Sequence, residues 1–289
     1  MTAIIPSQSR FADRDTTRSA YDGISPSGTP TRASRRTVSC VIPTLNEERN
    51  IAWVMHRIPQ CVDEVLLVDG LSTDRTVEIA RAIRPDLVVV REPGRGKGAA
   101  LCTGFARATG DYIVIIDADG SMDPAEIDYY VRVLDQGYHF AKGSRFLRGG
   151  GSVDLTRVRT WGNWALKSVV NVMWRVSFTD LCYGFLAFHR DRLTLLAPTA
   201  PGFEIEAELI ARALNARLRI AEVPSVELNR HYGESNLHAW RDGRRILRTV
   251  VGERLGRRPR RAHNERVVHT FDNVALRTLR PRFAEEGEA

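Results

Sequence analysis

The feature that most constrains this chain is the rhythm of its first half after residue 37. Four short runs rich in Val, Ile and Leu, at 38–42, 64–68, 87–90 and 112–116, alternate with segments of helical patterning at 50–57, 73–83 and 99–108. Tyr112-Ile113-Val114-Ile115-Ile116 shows no apolar–polar alternation, so a strand there must be covered on both faces. Strand–helix–strand order with buried strands predicts an α/β fold, a mostly parallel, Rossmann-like sheet with helices on both faces.

The second half is more mixed. Residues 156–174 read as helix, 184–188 as strand, 204–213 as helix and 218–223 as strand. Residues 237–255 read as a basic amphipathic helix with Leu237, Trp240, Ile246, Leu247, Val250 and Val251 as its apolar stripe. Residues 1–36 are rich in Ser, Thr, Arg and Pro and read as a disordered tail. One domain is expected over 37–255, and a flexible basic tail over 256–289. No apolar run approaches the roughly 20 residues of a bilayer span, and the first residues do not read as a secretory signal. Four scattered cysteines, Cys40, Cys61, Cys102 and Cys182, suit a reducing cytoplasm and argue against a zinc site.

The net charge of +7 is local: residues 240–261 hold nine arginines against Asp242 and Glu253. This predicts one basic face or tail rather than a nucleic-acid binder. On the helix at 237–255 the apolar stripe is expected to dock on the domain, with contact to an anionic membrane surface as a secondary role.

Ligands of wound sheets sit beyond the carboxyl ends of the strands, so the loops there carry the functional reading. They are Pro43-Thr44-Leu45-Asn46-Glu47, Asp69-Gly70-Leu71-Ser72-Thr73-Asp74, Gly94-Arg95-Gly96-Lys97-Gly98 and Asp117-Ala118-Asp119-Gly120. One polar loop is ordinary turn chemistry; four at one sheet edge make a site. The carboxylates of Asp117 and Asp119, two residues apart where a buried strand ends, suit a hard divalent cation that also takes phosphate oxygens. Gly94-x-Gly96-x-x-Ala99 imitates a dinucleotide fingerprint, but that reading leaves the other loops unexplained. It also lacks the Ser or Thr that a P-loop places after Gly-Lys. Lys97 and the backbone N–H groups of this loop are expected to face an anionic ligand.

These motifs, in this order, resemble the nucleotide-sugar half of the family 2 inverting glycosyltransferases, whose fold is termed GT-A. Gly143-Ser144-Arg145, Asp180-Leu181-Cys182-Tyr183-Gly184-Phe185, Gly202-Phe203-Glu204-Ile205-Glu206 and Gly233-Glu234-Ser235-Asn236-Leu237 are similar to the dolichyl- or polyprenyl-phosphate hexosyltransferase branch, which includes dolichol-phosphate mannosyltransferase-like enzymes. The resemblance divides the domain into a nucleotide-sugar half, about 37–145, and an acceptor half, about 146–255. It implies that Pro43, Leu45 and Glu47 line the nucleoside pocket, that Asp69 contacts base or ribose, and that Lys97 lies nearby. Asp117 and Asp119 would hold Mg²⁺ or Mn²⁺ and the diphosphate, and Arg145 would bind phosphate. The implied donor is a UDP- or GDP-linked hexose. The implied acceptor is a polyprenyl phosphate, with a peripheral place at the inner face of the membrane. Ser121 stands where the mannose enzymes commonly place a Gln ligand, and a counterpart of the C-terminal membrane span of many relatives is not expected.

The acceptor decides what else is needed. A lipid phosphate is already anionic and requires cations rather than a base; Arg157, Arg159 and Arg230 are the candidates. A soluble hydroxyl acceptor, on a cell-wall glycan or secondary metabolite, would require a carboxylate base, with Asp180 first and Glu206 next. His189 and His231 read as packing or surface histidines.

Overall fold

A computed structural model describes residues 35–94, 96–230, 232–233, 239–256 and 268–270. The expected N-terminal tail and most of the C-terminal tail lie outside the described residues. The chain runs β1 (Val38–Thr44), α1 (Ile51–Arg57), β2 (Glu64–Asp69), α2 (Thr76–Ile83), β3 (Val88–Arg91), α3 (Lys97–Arg107), β4 (Tyr112–Ile115), α4 (Ile127–Asp135) and β5 (Phe140–Ser144). It continues through β6 (Gly151–Ser152), α5 (Arg157–Trp174), β7 (Leu186–His189), α6 (Leu193–Leu196), α7 (Ile205–Asn215), β8 (Ile220–Pro224), β9 (Val226–Glu227), α8 (Ala239–Gly256) and β10 (Val268–Thr270).

Eight strands form one sheet in the order β10-β8-β5-β7-β4-β1-β2-β3. All neighbours are parallel except β7, which is antiparallel to both β4 and β5. The α/β expectation therefore holds, with one reversed strand. β10 falls within the segment expected to be a flexible tail, yet its backbone pairs in parallel with β8. A separate two-stranded ribbon joins β6 to β9.

The strands alternate their side chains between two apolar layers. Cys40 and Ile42 point toward Ile51, Val54 and Met55 of α1 and Ile127 and Tyr130 of α4. Val41 and Val68 point to the other face, with Leu101 and Phe105 of α3, Leu209 and Ile210 of α7, and Ile246 and Val250 of α8. Both faces are buried, as the unbroken apolar runs require. On α8 the stripe divides: Ile246 and Val250 face the core, whereas Trp240 is 89% exposed. Leu237 lies outside the described residues. No described helix is long and apolar enough to cross a membrane.

Candidate active site

The loops after β1 and β2 are stitched together by short side chains. Ser72 Oγ accepts from Asn46 N at 2.9 Å, and Asn46 Oδ1 accepts from Thr73 N at 2.8 Å. Thr76 Oγ1 accepts from Glu47 N at 2.8 Å, and Asp74 caps Thr76 N at 3.0 Å. The polar spacing Ser72-x-Asp74-x-Thr76 thus builds the loop. Asn46 and Leu71 adopt φ of +55° and +67°. Such values are uncommon outside glycine, and in a bulky Leu they mark stored strain. The result leaves Leu45 and Leu71 half exposed at the sheet edge. Below them Asp69, buried at the end of β2, receives Ser72 N at 3.0 Å.

Glu47 lies close to the acidic pair. Burial raises its carboxyl above the ordinary value; a 2.6 Å hydrogen bond from Asn50 Nδ2 opposes this, and the charge of Asp119 adds to it. Asn50 also donates to the Tyr232 carbonyl at 3.1 Å, while the Arg49 guanidinium lies 3.7 Å from the centre of the Tyr232 ring. Residues 232–233 therefore touch the first loop.

Lys97, the first residue of α3, bridges Asp117 Oδ1 and Glu206 Oε1, each at 2.6 Å. Burial would lower the Lys97 pKa, but the two carboxylates outweigh it, so the ammonium stays charged. Burial also pushes the Asp117 carboxyl upward despite Lys97. Lys97 is thus held by protein carboxylates. The expected role of the backbone N–H groups is corrected: those of Gly98 and Ala99 donate to the Pro201 carbonyl at 2.9 and 3.2 Å. The start of α3 is capped by the 200–202 turn. Arg95 lies outside the described residues.

Asp119 is buried; its Oδ1 accepts from Ser121 N at 2.9 Å. Arg230, expected beside the acceptor, instead reaches Asp119 Oδ2 at 2.9 Å. Among the described residues no cluster of three or more His, Cys, Asp or Glu converges as a metal cage. A site of one or two carboxylates still fits Mg²⁺ or Mn²⁺, which commonly fill their shells with phosphate oxygens and water. That Asp119 and Asp117 each attract a cationic side chain shows how strongly this edge favours positive charge.

Arg145 and Asp180 were expected as separate functional groups, and they are partners. Arg145 Nε and Nη2 donate to the two Asp180 oxygens at 2.7 and 3.0 Å, and Nη1 reaches Glu227 Oε2 at 3.0 Å. Asp180 is 0% exposed. Burial alone would raise its pKa, but Lys142 and Arg145 outweigh it and hold the carboxyl below its usual value. A carboxylate so engaged is a weak candidate for a base. Glu206, the other candidate, is tied to Lys97. Arg159 pairs with Asp154 at 3.0 Å and approaches Glu227 at 3.5 Å, and Arg157 is exposed at the start of α5. His189 packs edge-on to Tyr112 with its Nε2 at the Tyr138 carbonyl, as a packing residue would. His231 and most of Gly233-Glu234-Ser235-Asn236-Leu237 lie outside the described residues.

Sequence reasoning missed Glu227 and the cavity beside it. A space of about 910 Å³ opens between α5 and α8. Its walls are mainly apolar, with Val158, Trp161, Leu166, Ile246 and Leu247 among them, and Arg145, Arg157, Arg159 and Arg244 also line it. Two helices of 18 residues each, with large apolar side chains on more than one face, were the available signal.

Comparison with known proteins agrees with this geometry. The model of "Glycosyl transferase family 2" matches residues 39–194. The low-salt glycan biosynthesis hexosyltransferase Agl6 of Haloferax volcanii is 35% identical over 74% of this chain, which spans only about half (53%) of that protein. The polyprenol monophosphomannose synthase of Mycolicibacterium smegmatis is 31% identical over 71% of this chain and 82% of its own length. Among solved structures, glucosyl-3-phosphoglycerate synthase from Mycobacterium tuberculosis, in complex with Mn²⁺, uridine diphosphate and glucosyl-3-phosphoglycerate, superimposes with a TM-score of 0.58. It is 29% identical, over 76% of this chain and 80% of that one. Another structure of that synthase contains Mg²⁺ and uridine diphosphate. With its mostly parallel sheet, four loops converging at one edge and an acidic pair at their centre, the chain belongs to glycosyltransferase family 2.

Proposed function

We propose that this glycosyltransferase moves a hexose from a nucleoside diphosphate to a polyprenyl phosphate, with inversion and with a divalent cation. The observation that carries the acceptor is the apolar cavity between α5 and α8, with arginines in its wall. An isoprenoid chain needs a long apolar channel; its phosphate needs fixed cations at one end. Arg145, Arg157 and Arg159 supply them, and no general base is required, because the phosphate oxygen is already a nucleophile. That suits a site whose two candidate bases, Asp180 and Glu206, are held by cations.

On the donor side, Pro43, Leu45, Glu47 and Asp69 line the nucleoside pocket. Asp119 and Asp117 would hold Mg²⁺ or Mn²⁺, which would neutralise the charge of the leaving diphosphate. The acceptor oxygen forms its bond to the anomeric carbon as the bond from that carbon to the diphosphate breaks, and the nucleoside diphosphate departs. Arg230, paired with Asp119 at 2.9 Å, would supply a second cation for the diphosphate. Electrostatic help is greatest where charge develops at the leaving oxygen.

The exposed side chains Val158, Trp161 and Trp164 of α5 and Trp240 and Leu247 of α8, with Arg241, Arg244, Arg245 and Arg248, suit peripheral contact with an anionic membrane.

The test is a transfer assay with a short polyprenyl phosphate, 3-phosphoglycerate in a parallel arm, and labelled UDP- and GDP-hexoses. Label in the organic phase, abolished by chelator and reduced by ~10²-fold or more in Asp119→Ala, is expected. Label in the aqueous product alone moves the acceptor to a soluble molecule. No metal-dependent release of nucleotide from any donor overturns the reading entirely.

A further inference from the structure

Glu227 is not part of any motif above, yet three interactions meet on its side chain. Its Oε2 accepts from Arg145 Nη1 at 3.0 Å and from Ser152 Oγ at 2.5 Å, and its Oε1 lies 3.5 Å from Arg159 Nη2. The side chain is only 8% exposed. Its backbone, in β9, pairs with β6 at Ser152 and bridges Met122, in the loop that follows the acidic pair. Leu228 N donates to the Ser121 carbonyl at 2.9 Å, and Arg230 reaches Asp119. Residues 226–230 therefore form a strap: its backbone lies on the donor-side acidic loop, while the Glu227 side chain grips two of the arginines that line the apolar cavity.

We propose that Glu227 is a positioning residue that fixes where the acceptor phosphate sits relative to the donor. The inference rests on the lipid-phosphate reading above. Asp180 takes Arg145 through Nε and Nη2, Asp154 takes Arg159 through Nη1, and Glu227 joins the two arginines. Each guanidinium has five N–H donors; Arg159, whose side chain is 25% exposed, offers the cavity those it does not spend on carboxylates, whereas Arg145, 2% exposed, lines the cavity with little open surface. What the clamp adds is geometry. Transfer needs the phosphate oxygen in line with the anomeric carbon and its leaving group, and a misplacement near 1 Å can cost about 100-fold in rate. Because Glu227 is tied to the acidic loop through its own backbone, the acceptor arginines are referred to the same element that carries Asp119.

Loss of the Glu227 charge acts on binding in two opposed ways. The arginines become more attractive to phosphate as they lose their orientation. Binding should therefore change little while turnover falls. For Glu227→Gln, kcat with polyprenyl phosphate is expected to drop ~10-fold or more. The KM for polyprenyl phosphate should stay within threefold, and so should the affinity for Mn²⁺–UDP measured by calorimetry. Ser152→Ala, which removes the hydroxyl bond to the same carboxylate together with the 3.3 Å bond that the hydroxyl accepts from Asp154 N, should show the same split to a smaller extent in a fully folded chain. An unchanged kcat overturns the proposal. So does tighter acceptor binding with retained kcat, which would make Glu227 a competitor for the phosphate. Parallel loss of Mn²⁺–UDP affinity would make it a structural residue and overturns the proposal equally. If the wild-type chain gives no lipid-linked product yet transfers to a soluble acceptor, the function proposed above fails, and this inference fails with it for a separately visible reason.

Discussion

At the scale of single residues, the site is a set of charges that the protein neutralises for itself. Lys97 answers Asp117 and Glu206; Arg145 answers Asp180 and Glu227; Arg230 answers Asp119. Leaving any of these carboxylates buried without its cation would be costly, and removal of one partner from a buried pair typically costs about 3–5 kcal/mol. Glu126 is buried on different terms, held by neutral donors. Its Oε1 accepts from Val226 N at 3.1 Å and its Oε2 from Ser225 Oγ. Burial pushes its pKa to about 7 from an ordinary 4.5, despite these hydrogen bonds. Between those values the folded chain keeps a proton that the unfolded chain releases, so stability must fall as pH rises through this window. Every tenfold difference in proton affinity between the two states is worth about 1.4 kcal/mol. Melting temperature is therefore expected to decline by several degrees between pH 5 and 8. Glu126→Gln should flatten that decline, and an equal slope in the variant would remove Glu126 as its source.

At the scale of elements, α3 shows how a glycine-rich loop can be misjudged. Its pattern suggested an anion-binding helix start, but the turn at 200–202 packs against it. A Cβ at Gly98 would press on the Ala200 carbonyl and lie 2.7 Å from the Pro201 carbonyl carbon. Gly98 is thus required by backbone approach, and Gly98→Ala should cost about 1–3 kcal/mol by overpacking. That corresponds to a fall in melting temperature of roughly 2–4 °C per kcal/mol for a domain of this size. A variant as stable as the parent would show that the turn can retreat. This is also where sequence reading reached its limit. The strands β1 to β4 and the loops after them were legible, because unbroken β-branched runs have few alternatives. β5 was not: Phe140-Ala141-Lys142-Gly143-Ser144 carries a fully buried lysine that donates to the Gly143 carbonyl and lies near the buried carboxylates of Asp180 and Glu222. Glu227 escaped for the same reason. Its meaning lies in partners 82 and 68 residues earlier in the chain, Arg145 and Arg159, and no local spacing encodes that meeting.

At the scale of the whole molecule, apolar side chains and basic charge meet on the outside of α5 and α8. Trp161 is 70% exposed and Trp240 89%, and Val158, Trp164, Val172 and Leu255 are exposed on the same two helices. A protein helix that only docks on its own domain has little reason to present such residues to water. α8 does dock, since Arg212 of α7 holds Glu253 at 2.8 Å and Asn215 donates to the Glu253 carbonyl at 3.0 Å. Its outer face is therefore held in place while Arg241, Arg244, Arg245 and Arg248 remain exposed. An interfacial arginine near an anionic bilayer contributes about 1 kcal/mol, screened by salt, and an inserted Trp adds an apolar anchor. The chain should therefore sediment with phosphatidylglycerol-containing vesicles and far less with pure phosphatidylcholine. Raising salt should release it. Trp161→Ala combined with Trp240→Ala should weaken binding ~10-fold or more, since each lost side chain gives up apolar burial of about 1.5–3 kcal/mol at most. The cavity opens between these same helices, so vesicle contact and access of a lipid phosphate to the arginines would share one surface. Equal binding to neutral vesicles would shift the weight from charge to the apolar residues. Binding to neither would leave the exposed tryptophans to serve the cavity alone.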